Sequence, residues 1–488
     1  MKRSPDGLGP VVTLDRRLAR PLHRQLYDGY RQAILDGRLR PGQRLPSTRT
    51  LALELQVSRI PVVTAFAQLV AEGYVDSRVG AGTFVSKTLP DRALTRPGHR
   101  PSPTERPGPR RVPPNPLPSS DDPWLSLRGP FRLSQPALDE FPVATWTRLV
   151  TRHARRQSAK QMVYGDAMGL PVLREALAAH LRTFRSVACS ADHIMIVGGS
   201  QQALALAWRA LVAPGEAVWL EEPGYHGARD ALLLAGAEVV PVAVDDDGLD
   251  VLAGIARADD ARAVYVTPSH QYPLGVAMSA SRRLLLLDWA RRRGAWIVED
   301  DYDSEYRYGG QPLASLHGLD GDARVVYVGT FSKILFPALR VGYLVIPPDL
   351  VARFRHLRGA MDIFPAPLLQ AALAEFIAEG HFARHLRRMR AVYAERRRAL
   401  VSALAREIGE SVQVVGEQAG MHLVALLPPG TDDRLVAVRA ARRGISAAPL
   451  SSCYEGRKRR SGLVLGFGST RPRDMPDAVR ALKAALRG

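Results

Sequence analysis

The chain has 488 residues, 46% of them apolar and 24% charged, which is ordinary for soluble globular protein and too long for a single hydrophobic core. No apolar run approaches the ~18 residues of a membrane span, and no apolar stretch follows the charged amino terminus as a secretory signal requires. With only Cys189 and Cys453 there is neither a disulfide framework nor a cysteine-built metal site, so the expectation is a cytoplasmic protein with no metal and no membrane partner.

The net charge of +19 points to an anionic partner. Codon bias contributes, because only six of the 67 basic residues are lysine, yet the charge is also unevenly spread. Residues 1–87 hold 14 basic and 7 acidic side chains.

In that first segment, Leu22, Leu26, Tyr30, Ala33 and Ile34 fall on one helical stripe. Ser47 is placed to cap a second helix carrying Leu51, Ala52 and Leu55. After a short turn at Gln56–Val57, Ser58 is placed to cap a third, running through Val63, Phe66, Ala67 and Val70 with Pro61 in its first turn. Tyr74–Arg78, a glycine turn and Thr83–Ser86 then read as a hairpin. Two capped helices across a tight turn, followed by a hairpin, make a winged helix-turn-helix.

Residues 88–123 contain eleven prolines and no apolar periodicity. They read as an extended basic linker, which at ~3.1 Å per residue reaches roughly 110 Å. Beyond it, from residue 124 to 488, short apolar runs (Ile194–Val197, Ala217–Leu220, Ala263–Val266, Trp296–Val298, Val325–Val328) alternate with helical patterns such as Gln201–Val212 and Ser281–Arg292. That succession predicts an α/β layer fold on a largely parallel sheet.

Lys333 stands out in this second body. A chain that writes arginine for nearly every cation keeps a lysine just after a buried strand, in Gly329–Thr330–Phe331–Ser332–Lys333. A Schiff base needs a deprotonatable primary amine, which guanidinium cannot supply. Gly198–Gly199–Ser200–Gln201 is a glycine turn opening a helix, suited to phosphate. Glu299–Asp300–Asp301–Tyr302 ends a strand in carboxylates, with no histidine or cysteine nearby in sequence to make them a metal site, and Tyr225 presents an aromatic ring after another strand. Lysine, phosphate turn, carboxylate and aromatic together are what pyridoxal phosphate requires.

Two resemblances follow from these motifs. LPSTRTLA, VSR, EGYV and GAGTFV, in that order, resemble the winged helix-turn-helix of GntR-type regulators. The resemblance implies that Arg49 and Arg59 contact phosphates or base edges of operator DNA, that Ser58 and Thr64 support them, and that Gly80 and Gly82 bring the wing close to the backbone. Ile60–Pro61 departs from it, standing where polar residues are expected. GGSQ, EEPGY, TPSHQYPLG, EDDYDSEY, GTFSK and LRVGYL, over residues 130–487, resemble fold-type I aminotransferases. This second resemblance implies Lys333 as the Schiff-base lysine, Asp300 on the pyridine nitrogen and Tyr302 on the phenolic oxygen. It implies Tyr225 stacked on the ring, Ser200, Gln201, Thr330 and Arg340 on the phosphate, and Tyr164 reaching the phosphate of a partner subunit. Two departures weaken transamination: Tyr272–Pro273–Leu274–Gly275 replaces an NPTG motif, and Val464 falls where an arginine commonly clamps a substrate carboxylate.

The whole chain therefore resembles the MocR/GabR subfamily of GntR regulators. What that implies is a head-to-tail homodimeric transcription regulator that binds operator DNA and senses a small amine or amino acid with pyridoxal phosphate on Lys333. An active aminotransferase with an accessory DNA module, and a regulator of vitamin B6 synthesis sensing the cofactor itself, are the alternatives. The sequence leaves open whether any transamination persists.

Overall fold

The computed structural model describes residues 11–78, 81–87, 129–159, 162–309, 314–320, 324–456 and 459–487. Two compact units divide the chain, Met1–Pro113 and Pro114–Gly488. The linker read over 88–123 lies outside the described residues, as does Gly80.

In the first unit, helices α1 (Leu22–Leu35), α2 (Thr48–Glu54) and α3 (Arg59–Ala71) precede an antiparallel hairpin of β1 (Val75–Arg78) and β2 (Gly82–Val85). The Ser47 hydroxyl accepts the Thr50 amide at 3.1 Å and so starts α2. Gln56, at φ +50°, turns the chain towards α3. Ser58 holds the N-cap position of α3, but its side chain caps no amide. Leu26, Tyr30, Ala33 and Ile34 of α1 close over Leu51, Val62, Ala65, Phe66 and Leu69, with Tyr30 and Phe66 edge to face at 5.4 Å.

One expectation fails here. The sequence reading ran α3 through Val63, Phe66, Ala67 and Val70; Phe66 is buried as expected, but its companions on the buried face are Val62, Ala65 and Leu69. Val63, Ala67 and Val70 point outward. An almost wholly apolar helix has no polar stripe to fix its rotation, so packing against α1 decided the face.

The second unit is built on eight strands: β3 (Ile194–Val197), β4 (Ala217–Glu222), β5 (Glu238–Asp245), β6 (Gly248–Leu249), β7 (Ala263–Val266), β8 (Trp296–Asp301), β9 (Val325–Thr330) and β10 (Gly342–Val345). Their spatial order is β3-β10-β9-β8-β7-β4-β5-β6. The run from β9 to β5 is parallel, whereas β10 is antiparallel to both neighbours and β6 to β5. Alternate residues of the central strands enter different cores: Ala263 and Tyr265 pack with the helix Ser200–Leu211, while Val264 and Val266 pack with the helix Ala280–Arg293. Trp219 stacks on Trp289 at 3.8 Å in the second of these cores. A smaller antiparallel sheet, β11 (Gln413–Val415), β12 (His422–Leu426), β13 (Ala448–Pro449) and β14 (Gly462–Gly466), is ordered β11-β12-β14-β13. Among the described residues no helix is long and apolar enough to cross a membrane.

Candidate cofactor site at the strand ends

The carboxyl ends of β4, β7, β8 and β9 open onto a cavity of about 380 Å³ lined by Tyr225, Thr267, Asp300, Tyr302, Thr330 and Lys333 among others. Strand ends are where open α/β sheets place ligands, because the loops diverge there.

Glu299, Asp300 and Asp301 are sorted by the pleat of β8. Glu299 accepts the Leu316 and His317 amides at 3.0 Å each. Asp301 pairs with Arg185 at 2.7 Å and accepts the Tyr327 hydroxyl. Of the three, Asp300 alone lines the cavity. Its Oδ2 accepts the Tyr265 hydroxyl at 2.8 Å, while Oδ1 is buried with no partner among the described residues. Burial raises its pKa to about 7; the Tyr265 hydrogen bond and Lys333 oppose the rise, and Asp301 adds to it.

Lys333 sits in the same wall. Burial depresses its amine to about 8, against the pull of Asp303 and Asp300. At neutral pH the reactive free base is therefore far more abundant than on an exposed lysine.

At the far end, Gly199 has φ +116° and begins the helix Ser200–Leu211 without a side-chain cap, leaving first-turn amides open. A Cβ on Gly199 would lie 3.1–3.3 Å from the Arg340 guanidinium and would crowd it, and the positive φ itself favours glycine there. Ser200 and Thr330 line this part of the cavity, and Thr330 Oγ1 accepts the Ser332 amide at 3.1 Å. Gln201 lines it too, although its side-chain amide is held by the Gly227 carbonyl at 3.2 Å. The Tyr225 ring is held over Gly227, where a Cβ would approach it to 2.5 Å.

Tyr302 lines the cavity too, whereas Tyr164, expected at a partner subunit's site, does not line that of its own chain. The Tyr302 hydroxyl lies at the cavity but donates to the His270 carbonyl at 2.8 Å. Tyr164 is 80% exposed, beside Phe364 and away from the cavity of its own chain.

The fold also adds partners that sequence distance concealed. The carboxylate run has histidines after all: His270 Nδ1 lies 2.9 Å from Asp303 Oδ1, and His422 from β12 completes a buried trio. His422 Nε2 meets the Pro273 carbonyl at 3.1 Å, and burial lowers its pKa to about 4, so it is neutral. His270 Nδ1 lies 3.1 Å from the Tyr302 hydroxyl as well, so Asp303 and His270 brace Tyr302 from behind, with the His422 ring packed on His270 at 4.8 Å. Tyr265 was legible only as a strand residue, since its bond to Asp300 joins two neighbouring strands far apart in sequence. Arg132 brings a second guanidinium to the cavity from a segment without a motif.

Val464 does not reach the cavity. It is fully buried in an apolar cluster with Val424, Leu450 and Leu274. Of the other departure, Leu274 packs into this same cluster, while Tyr272 lines the cavity.

A free amine of depressed pKa, a buried carboxylate with an open oxygen and a guanidinium across open helix amides suit an aldehyde, a ring nitrogen and a phosphate respectively.

On the DNA side, Arg59 is exposed at the start of α3 and its Nε donates to Thr48 Oγ1 at 3.1 Å. Arg49 is exposed on α2, and Gly82, at φ +109°, faces Arg44 across the hairpin. The Thr64 hydroxyl is spent on the Ile60 carbonyl at 3.0 Å.

A winged helix-turn-helix and an aminotransferase-like α/β unit on one chain define a class of transcription regulator. A model of class I and II aminotransferases matches residues 133–462, and a model of the gntR family of bacterial regulatory proteins matches residues 22–85. The chain is 41% identical to the probable rhizopine catabolism regulatory protein MocR of Rhizobium meliloti, over 98% of this chain and 96% of that one. It is 34% identical to the pyridoxine biosynthesis transcriptional regulator PdxR of Corynebacterium glutamicum, over 91% of each. Among solved structures, the α-aminoadipate aminotransferase LysN of Thermus thermophilus superposes with a TM-score of 0.68 at 29% identity, over 73% of this chain and 92% of that one. The chain belongs to the MocR-type helix-turn-helix transcription regulators of the GntR family.

Proposed function

We propose that this regulator holds pyridoxal 5'-phosphate at Lys333 and uses it to sense a small amine or amino acid, passing the signal from residues 124–488 through the linker 88–123 to the DNA-binding module 1–87. The observation that carries the reading is the open Oδ1 of Asp300 in the same cavity as the depressed Lys333 amine and the Gly199–Arg340 turn. When bound, the cofactor supplies an electron-withdrawing ring and an aldehyde that condenses reversibly with amines.

The chain's own residues do the rest. Asp300 keeps a proton on the ring nitrogen through its open oxygen. Arg340, Ser200, Gln201, Thr330 and the first amides of the helix Ser200–Leu211 hold the phosphate. Tyr225 covers the ring, and Tyr302, braced by His270, serves the phenolic oxygen once its hydroxyl turns from the His270 carbonyl. Arg132 offers an acidic effector the cation that Val464 cannot.

In operator recognition, Arg49 and Arg59 meet the DNA, with Ser58 and Thr64 beside them and Gly80 and Gly82 in the wing. A head-to-tail homodimer is supported by Met162, Val163 and Tyr164, three consecutive apolar side chains at least 65% exposed. In that dimer Tyr164 serves the partner's site.

The test is the visible spectrum of the purified chain before and after borohydride reduction, with the modified peptide mapped. The expected result is a pyridoxal band that reduction fixes on Lys333. No band after adding pyridoxal phosphate, or a label on another lysine, refutes the cofactor assignment.

An active aminotransferase is the second reading, and the intact Lys333–Asp300 pair favours it. It requires sustained turnover of an amino acid with an oxo acid, and the apolar packing of Val464 and Leu274 weighs against that.

A further inference from the structure

The face of α3 opposite its buried residues is apolar and unpartnered. Ile60 is 76% exposed and Val63 44%, and Ala67 and Val70 continue the stripe along the helix. Exposed apolar surface of this extent on a short helix marks a contact.

The hydrogen-bonding side chains near this face are occupied. The Thr64 hydroxyl bonds the Ile60 carbonyl at 3.0 Å, and Gln68 Nε2 bonds Glu72 at 2.9 Å. The helix sequence, RIPVVTAFAQLVA, carries no asparagine and no second glutamine. Bidentate reading of adenine, which takes a free amide, is therefore unavailable from α3. What remains beyond Arg59 is apolar contact, and the base feature in the major groove that accepts it is the thymine 5-methyl group.

Charge identifies the occupant as nucleic acid. Arg44 in the segment before α2, Arg49 on α2, Arg59 on α3 and Arg78 in the hairpin are all exposed and form no ion pair among the described residues. A second protein would have to bury or neutralise these guanidinium groups, whereas a duplex brings phosphates to them as it brings methyl groups to the stripe.

We propose that Ile60, with Val63 behind it, is a specificity-determining residue that reads thymine methyl groups in the operator. The inference rests on the DNA-binding reading of this module.

The test uses the full chain. Binding sites are first selected from a random duplex pool. Each thymine of the selected site is then replaced by deoxyuracil, which lacks only the methyl, and dissociation constants are compared at one salt concentration for the native chain and Ile60→Ala. The expected result is a loss of about fourfold at one or more thymines per half-site, the factor that burying one methyl group's apolar surface implies. That loss should vanish in Ile60→Ala, with the salt slope unchanged because no phosphate contact is removed. Restoring the loss with 5-methylcytosine in place of cytosine at a neighbouring base step would extend the same reading.

Equal binding of thymine and deoxyuracil sites by the native chain overturns the proposal, as does a methyl effect that persists in Ile60→Ala. A change of oligomeric state in Ile60→Ala, with the methyl effect intact, overturns it in favour of a protein contact. If no sequence is enriched from the pool, the DNA-binding reading itself has failed, which is a different result.

Discussion

Asp300 and Lys333 have the pKa shifts that burial gives opposite charges, and each shift carries a prediction. A carboxyl whose folded pKa of about 7 lies above its unfolded value costs stability from about pH 4 upward, fully so above pH 7. Asp300→Asn removes that cost while keeping an acceptor for the Tyr265 hydroxyl. The cofactor-free variant should therefore melt about 2–5 °C higher at pH 8, yet bind pyridoxal phosphate at least about tenfold more weakly. Calorimetry and fluorescence titration read the two effects; a variant that both melts lower and binds equally well contradicts the assignment. For Lys333, the free amine fraction rises about tenfold per pH unit below its pKa of about 8 and then saturates. Coupling of the cofactor-free chain to pyridoxal phosphate, followed by stopped-flow absorbance, should climb from pH 6 to 7 and level off above pH 8. A rate still climbing tenfold per unit at pH 9 would show an ordinary lysine. Lys333 itself was legible in the sequence because lysine is rare in this chain. The choice among Glu299, Asp300 and Asp301 was also made in sequence, by resemblance, but its physical ground, the alternation along β8, needed the strand's position in the sheet.

At the scale of elements, the strands were readable where they are buried on both faces: Ile194–Val197 and Ala263–Val266 have the bounds their apolar runs suggest. α3 was harder: the sequence grouped Val63, Ala67 and Val70 with Phe66, and of these four only Phe66 is buried, which is testable. Phe66→Ala empties the core under α1 and should loosen the amides of α1 and α3 in hydrogen exchange by about 3–5 kcal/mol, capped by the stability of the module. Val63→Ala, on the outward face, should change their protection by no more than about 0.5 kcal/mol. Equal effects would put Val63 in the core beside Phe66, as the sequence reading had it. β14 shows the same limit differently. The sequence marks Val464 as a departure, but only the pairing Val424↔Val464 reveals that it faces a closed apolar core.

For the molecule as a whole, regulation means that effector and operator bind unequally to two states, and the coupling must be reciprocal. If an amine weakens operator binding by some factor, typically about 5–150-fold, saturating operator must weaken the amine's equilibrium binding by that same factor. Titrations in both directions measure it, and unequal factors would mean that the amine is being consumed by chemistry. The sequence by itself determined the two-part character of the chain, the class of each part and the residues of the amine, carboxylate and phosphate-turn motifs, because these rest on local order: caps, turns, apolar periodicity and a lysine kept among arginines. Tertiary structure decided which carboxylate keeps an oxygen open, that His270 and His422 stand behind Tyr302, that Arg132 joins the cavity, and which face of α3 is left outside. Those outcomes depend on contacts between residues far apart in the chain, His270 with Asp303 or Val424 with Val464, and on how neighbouring elements pack, neither of which leaves a periodic trace in the sequence.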